Sequence, residues 1–143
     1  MRAVGSLPET VSVALRVLIV DDNPRFLEAA RSSLERQGVR VVGVAATSAE
    51  ALAQAEALSP DVALVDIGLG EESGFELTRR LVDGFPHLRR RVVLISTRGE
   101  DDYADMIETS AAIGFVSKSH LSAHALSDLL SGDEVEPSGL PGT

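Results

Sequence analysis

Cysteine is absent from this 143-residue chain and aromatic residues make up only 3% of it. Without thiols there is no disulfide framework and no thiolate metal site, which suits a reducing compartment. With so few rings, any core must be built from aliphatic side chains. Basic residues are also scarce: 13 Lys and Arg stand against 22 Asp and Glu, a formal charge of −9. Binding to a phosphate backbone needs clustered cations, so nucleic acid is not an expected partner. The one basic cluster, Arg89, Arg90 and Arg91, is too small for such a patch and reads as a solvated loop. No apolar run approaches the ~18 residues of a membrane span. The N-terminus lacks a charged segment followed by a continuous hydrophobic one. The expectation is a cytoplasmic protein without a membrane segment.

Short β-branched runs recur at residues 16–20, 39–45, 62–65, 91–95 and 114–116. Such runs mark strands buried on both faces of a parallel sheet. Stretches of helical spacing separate them. In the first, Asn23 is placed to cap, Pro24 to take the first helical position, and Gly38 to close, with Phe26, Leu27, Ala30 and Leu34 on one face. Thr47 with Glu50, and Ser73 with Glu76, have the spacing of capping boxes. A fourth helix is expected over about 101–111 and a fifth over about 119–131. Five β/α units with right-handed crossovers predict a doubly wound five-stranded parallel sheet flanked by five helices, the flavodoxin-like architecture. One domain over 15–131 is expected, with flexible ends over 1–14 and 132–143, which carry no periodic apolar face.

In such a sheet, ligands bind beyond the carboxyl ends of the strands. Asp21 and Asp22 follow the first strand, Asp66 ends the third, Ser96 the fourth, and Lys118 follows the fifth. Three carboxylates in one crevice repel one another unless a hard cation with oxygen ligands neutralises them, and Mg²⁺ is the natural candidate. A carboxylate beside a divalent ion, an ammonium and a hydroxyl is equipped to attack a phosphoryl group. Each residue taken singly also has a plainer explanation. Asp21 and Asp22 suit a helix start, Asp66 a turn, Ser96 a backbone partner, Lys118 a solvated loop and Phe115 the core. The functional reading rests on all of them falling at successive strand ends.

Four segments, residues 17–24 (VLIVDDNP), 63–74 (ALVDIGLGEESG), 93–97 (VLIST) and 114–118 (GFVSK), resemble the receiver domains of two-component response regulators, the CheY-like fold. The resemblance spans roughly 15–131 and implies a phosphoacceptor at Asp66. It implies Mg²⁺ ligands in Asp22, Asp66 and the Gly68 carbonyl, with Asp21 acting through water. Lys118 would pair with the acceptor or its phosphate. Ser96 and Phe115 would form the switch, the hydroxyl moving to the phosphoryl oxygen and the ring turning inward. The implied phosphodonor is a histidine kinase or phosphotransfer protein, and the implied output is altered binding of a downstream protein. The output face would carry Asp101, Asp102, Asp105 and Glu108 around Met106 and Ile107. Homodimer formation stays open.

Two positions depart from the family pattern. Ser119 follows Lys118 where a proline is common, and Gly70 stands where a proline often follows the acceptor. Two other readings remain beside a stand-alone phosphorylatable switch that modifies itself and is not a turnover enzyme. One is the receiver part of a longer DNA-binding regulator of the NarL type. The other is a phosphate-independent interaction module, disfavoured by the complete set Asp21, Asp22, Asp66, Ser96 and Lys118. A phosphatase or flavin protein lacks its glycine-rich loop here. His120 and His124 have i, i+4 spacing but no evident third ligand, and read as helix surface.

Overall fold

The computed structural model describes residues 14–97 and 103–139, with side chains as far as 131. Five strands, β1 (Arg16–Val20), β2 (Arg40–Ala45), β3 (Val62–Asp66), β4 (Val92–Ser96) and β5 (Gly114–Ser117), form one sheet. Its order is β2-β1-β3-β4-β5, parallel throughout. The five helices are α1 (Pro24–Arg36), α2 (Ser48–Leu58), α3 (Gly74–Gly84), α4 (Ala104–Thr109) and α5 (Ala123–Gly139). This is the doubly wound architecture expected from the alternation of runs.

The pleat explains why the central strands are apolar on both faces between their ends. Leu18, Val20, Ala63, Val65 and Leu94 point to one face and pack under Ala51 and Ala55 of α2 and Leu77 and Leu81 of α3. Their neighbours Val17, Ile19, Val62, Leu64, Val93 and Ile95 point to the other, against Ala30 and Leu34 of α1 and Leu126 of α5. A strand covered on both sides needs no polar alternation, and burying one such side chain contributes roughly 1.5–3 kcal/mol.

The chain leaves β1, builds outward to β2, and returns across β1 to β3. The crossovers diverge there, and the carboxyl ends of β1 and β3 border an open crevice. Helix starts around it follow the expected caps. The Asn23 side chain accepts from the Arg25 and Phe26 N–H groups, Thr47 from Glu50, and Ser73 from Phe75 and Glu76. Each such cap is worth about 1 kcal/mol.

Several boundaries differ. Helix α4 spans only Ala104–Thr109: the backbone is already extended at Ser110, and Tyr103 at its start makes no side-chain capping bond. Expected positions 101 and 102 lie outside the described residues. Residues Lys118–His120 form a 3₁₀ turn with Ser117 accepting from the Ser119 N–H, so α5 begins later than expected, at Ala123. Its backbone runs to Gly139, past the expected end at 131. Of the expected flexible ends, 1–14 and 132–143, residues 1–13 and 140–143 lie outside the described residues. An unexpected antiparallel hairpin pairs Gly68–Leu69 with Glu72–Ser73, turning at Gly70 (φ 61°). Two-residue strands leave no period to read in a sequence. No helix among the described residues is long and apolar enough to cross a membrane.

Candidate functional site

Backbone hydrogen bonds fix the floor of the crevice. The Asp21 N–H donates to the Ala45 carbonyl (2.9 Å), prolonging the β1–β2 ladder, and the Ile67 N–H donates to Ile95 (2.9 Å), prolonging β3 against β4. Asp21 and Asp66 are therefore held by the sheet itself. Asp21 is fully buried, Asp66 and Ser96 are nearly so, and Asp22 is exposed. One carboxylate oxygen from each of Asp21, Asp22 and Asp66 lies within 4.8 Å of the others.

Lys118, delivered by the end of β5, brings the positive charge. Its ammonium touches Asp21 Oδ2 and lies 3.5 Å from Asp66 Oδ2. Asp21 Oδ1 accepts from the Asn23 N–H (2.8 Å). Asp21 Oδ2 is buried in ionic contact with Lys118 and accepts no further hydrogen bond from the described residues. Among the described residues one ammonium faces the three gathered carboxylates, and the donor set fits a hard divalent ion such as Mg²⁺.

Asp66 differs from an ordinary surface carboxylate. Burial raises its pKa from 3.8 to about 6, and the Asp21 charge adds to the rise, while Lys118 and the Gly68 N–H pull it back. The Gly68 N–H donates weakly to Asp66 Oδ1 (3.4 Å). Beyond it, the Gly68–Ser73 hairpin borders the crevice on the α2 side. Glu72 accepts from the Ser48 N–H at the start of α2 (2.8 Å), and a Cβ on Gly70 would stand 3.3 Å from Asp22 Oδ2. Gly74 lies so close to the Asp66 carbonyl that a side chain there would collide with it.

Of the expected site residues, Asp21, Asp22, Asp66 and Lys118 are brought together, while Ser96 ends the neighbouring strand β4 and Phe115 lies on β5, partly buried against the α2–α3 side of the core. Lys118 is closer to Asp21 than to Asp66, which its expected pairing with the acceptor does not anticipate. His120 and His124 stay apart from the cluster: His120 Nδ1 meets the Ser119 hydroxyl (3.3 Å) and His124 pairs with Asp128 (3.3 Å). Two contributors escaped the sequence reading. The Lys118 ammonium stands 4.4 Å from the centroid of Phe26, a residue read only as helix core. Gly74 carried no signal beyond its place beside a cap. On the expected output face Asp105 and Glu108 are exposed, and Met106 is 52% exposed.

Residues 17–130 match the family described as the response regulator receiver domain. A protein of Pseudomonas aeruginosa assigned as a transcriptional regulator is 39% identical over 103 residues, covering 72% of this chain and 49% of that one. The chain thus spans about half the length of that curated relative. The CheY-like receiver of Methanospirillum hungatei JF-1 is similar in structure, with a TM-score of 0.67 and 27% identity over 89% of this chain and all of that one. A response regulator from Burkholderia pseudomallei, solved with a phosphorylated aspartic acid, a calcium ion and citrate, has a TM-score of 0.70 and 26% identity, covering 88% of this chain and 73% of that one.

Proposed function

The chain belongs to the response regulator receiver family, and from that premise we propose that it accepts a phosphoryl group on Asp66 from a histidine kinase or phosphotransfer protein and binds a downstream protein differently afterwards. The observation that carries this reading is the placement of Asp66. Its carboxylate is held at the end of β3, 3.5 Å from the Lys118 ammonium and grouped with Asp21 and Asp22. The family at large acts as a phosphoacceptor switch. The aspartyl phosphate and divalent ion of the Burkholderia protein support carrying that chemistry over.

In the proposed step an Asp66 oxygen forms a bond to phosphorus as the phosphorus–nitrogen bond of a phosphohistidine breaks, and the departing electron pair stays on the imidazole. The product is an acyl phosphate. Transfer of this kind depends on positioning and on offsetting charge at the equatorial oxygens. Lys118 is placed to supply one positive charge there. Asp21, Asp22 and Asp66, with the Gly68 carbonyl, would hold Mg²⁺, which when bound offsets charge on the phosphoryl oxygens. Ser96, at the end of the neighbouring strand, would meet the new phosphoryl oxygen, and Phe115 would change its packing in response. Phosphorylation biases such a switch only through its own differential contacts with the two arrangements. The chain is then a self-modifying substrate, and a cytoplasmic place follows from its phosphodonor.

A second reading is favoured by the half-length match to the transcriptional regulator: the same receiver governing a DNA-binding segment of a longer protein. Immunoblotting of the native protein separates the two by size.

The test is intact mass after incubation with acetyl phosphate and Mg²⁺. One Mg²⁺-dependent phosphoryl adduct is expected on the wild type and none on Asp66→Asn. A folded wild type without an adduct overturns the reading in favour of a phosphate-independent interaction module.

A further inference from the structure

We propose that Phe26 is a positioning residue for Lys118, its ring face holding the ammonium at the mouth of the acidic crevice. The inference rests on the phosphoacceptor reading of Asp66 and adds a residue to that site. Lysine is a point charge on a flexible four-carbon stem, and orienting it requires contacts beyond one ion pair. Here the stem has room to leave. A cleft of about 340 Å³ opens beside it, lined by Asn23, Phe26, Thr97, Lys118 and Ser119. Three groups oppose that: Asp21, Asp66 and, on the α1 side, the Phe26 ring with its centroid 4.4 Å from Nζ.

The ring differs in kind from the two carboxylates. Its quadrupole attracts a cation without neutralising it, so the ammonium keeps its full charge for oxygens arriving at Asp66. A third carboxylate in the same place would compete for that charge.

The local sequence sets the ring's position. Asn23 caps α1 by accepting from the Arg25 and Phe26 N–H groups (3.0 and 3.4 Å), and Asn23 in turn donates its own N–H to Asp21. The segment that presents Asp21 and Asp22 therefore also fixes the first turn carrying Phe26. The ring packs partly buried against the α1–α5 side of the core, which leaves it little freedom.

Phe26→Leu keeps an apolar side chain and removes the ring face, whereas Phe26→Tyr keeps the face. In the full chain, Phe26→Leu is expected to slow adduct formation from acetyl phosphate and Mg²⁺ roughly three- to tenfold, with Phe26→Tyr restoring the rate. The ring current should also shift the Lys118 ε-methylene protons upfield in the wild type and in Phe26→Tyr, and not in Phe26→Leu. Equal rates for wild type and Phe26→Leu, or equal slowing in both variants, overturn the proposal. So does an unshifted Lys118 signal in the folded wild type. A shifted signal in a wild type that forms no adduct overturns instead the phosphoacceptor reading, and with it any role for the ring in transfer.

Discussion

The Asp66 carboxyl lies between burial and the Asp21 charge, which favour its neutral form, and Lys118, which favours the anion; the balance leaves its pKa at about 6. In the unfolded chain the same group titrates near 3.8. Well below pH 3.8 it is protonated in both states and costs nothing. As the pH rises through 4 to 6 the unfolded chain releases the proton first, so the folded state loses stability, and the loss is complete above the folded pKa. A shift of this size corresponds to at most about 3 kcal/mol, which solvent screening at the crevice mouth reduces to roughly 1–2. Asp66→Asn, with no proton to lose, escapes that loss. Urea unfolding with a chelator present should therefore show Asp66→Asn gaining on the wild type by about 1–2 kcal/mol between pH 4 and pH 7. A gap that narrows over this range would mean that the carboxylate is stabilised in the fold, and that the site is organised differently from its geometry here.

At the scale of elements, the junction between β3 and α3 is the tightest part of the site. The Gly74 N–H donates to the Ile67 carbonyl (2.7 Å), and the space a Cβ would need is taken by the Asp66 backbone. Gly74→Ala must push α3 or the acceptor peptide aside, an overpacking worth typically 1–3 kcal/mol. Gly84, at the other end of α3, has nothing within 4 Å of its Cβ position, so Gly84→Ala should be neutral or stabilising by up to about 1 kcal/mol. Thermal unfolding of the two variants checks the contrast, and a Gly74→Ala chain as stable as Gly84→Ala would refute the tight junction. This junction also marks where the sequence stopped being legible. Strands, caps and the convergence of Asp21, Asp22, Asp66, Ser96 and Lys118 could be read because period and residue type carry them. The hairpin at Gly68–Ser73, the shortness of α4 and the ring of Phe26 over Lys118 depend on contacts between segments distant in sequence or on turns too short to show a period.

For the molecule as a whole, the acidic crevice adds local repulsion to a chain whose net charge is already −9. General screening by salt and specific occupation by Mg²⁺ would both relieve it, but they differ in form. Screening acts on all exposed charge through the Debye length and depends on ionic strength alone. Occupation of one site stabilises by RT ln(1 + [L]/Kd), about 1.4 kcal/mol at ten times Kd, which for a domain of this size is a rise in Tm of roughly 4 °C. At matched ionic strength MgCl₂ should therefore raise the Tm above its value in NaCl. Asp22→Asn should remove most of that difference: Asp22 is exposed, so the substitution alters one of the three gathered carboxylates without opening the core. Identical melting curves in the two salts for the wild type would mean that the three carboxylates form an acidic surface and do not bind the ion. An Mg²⁺-specific rise that survives Asp22→Asn would instead place the ion outside the crevice.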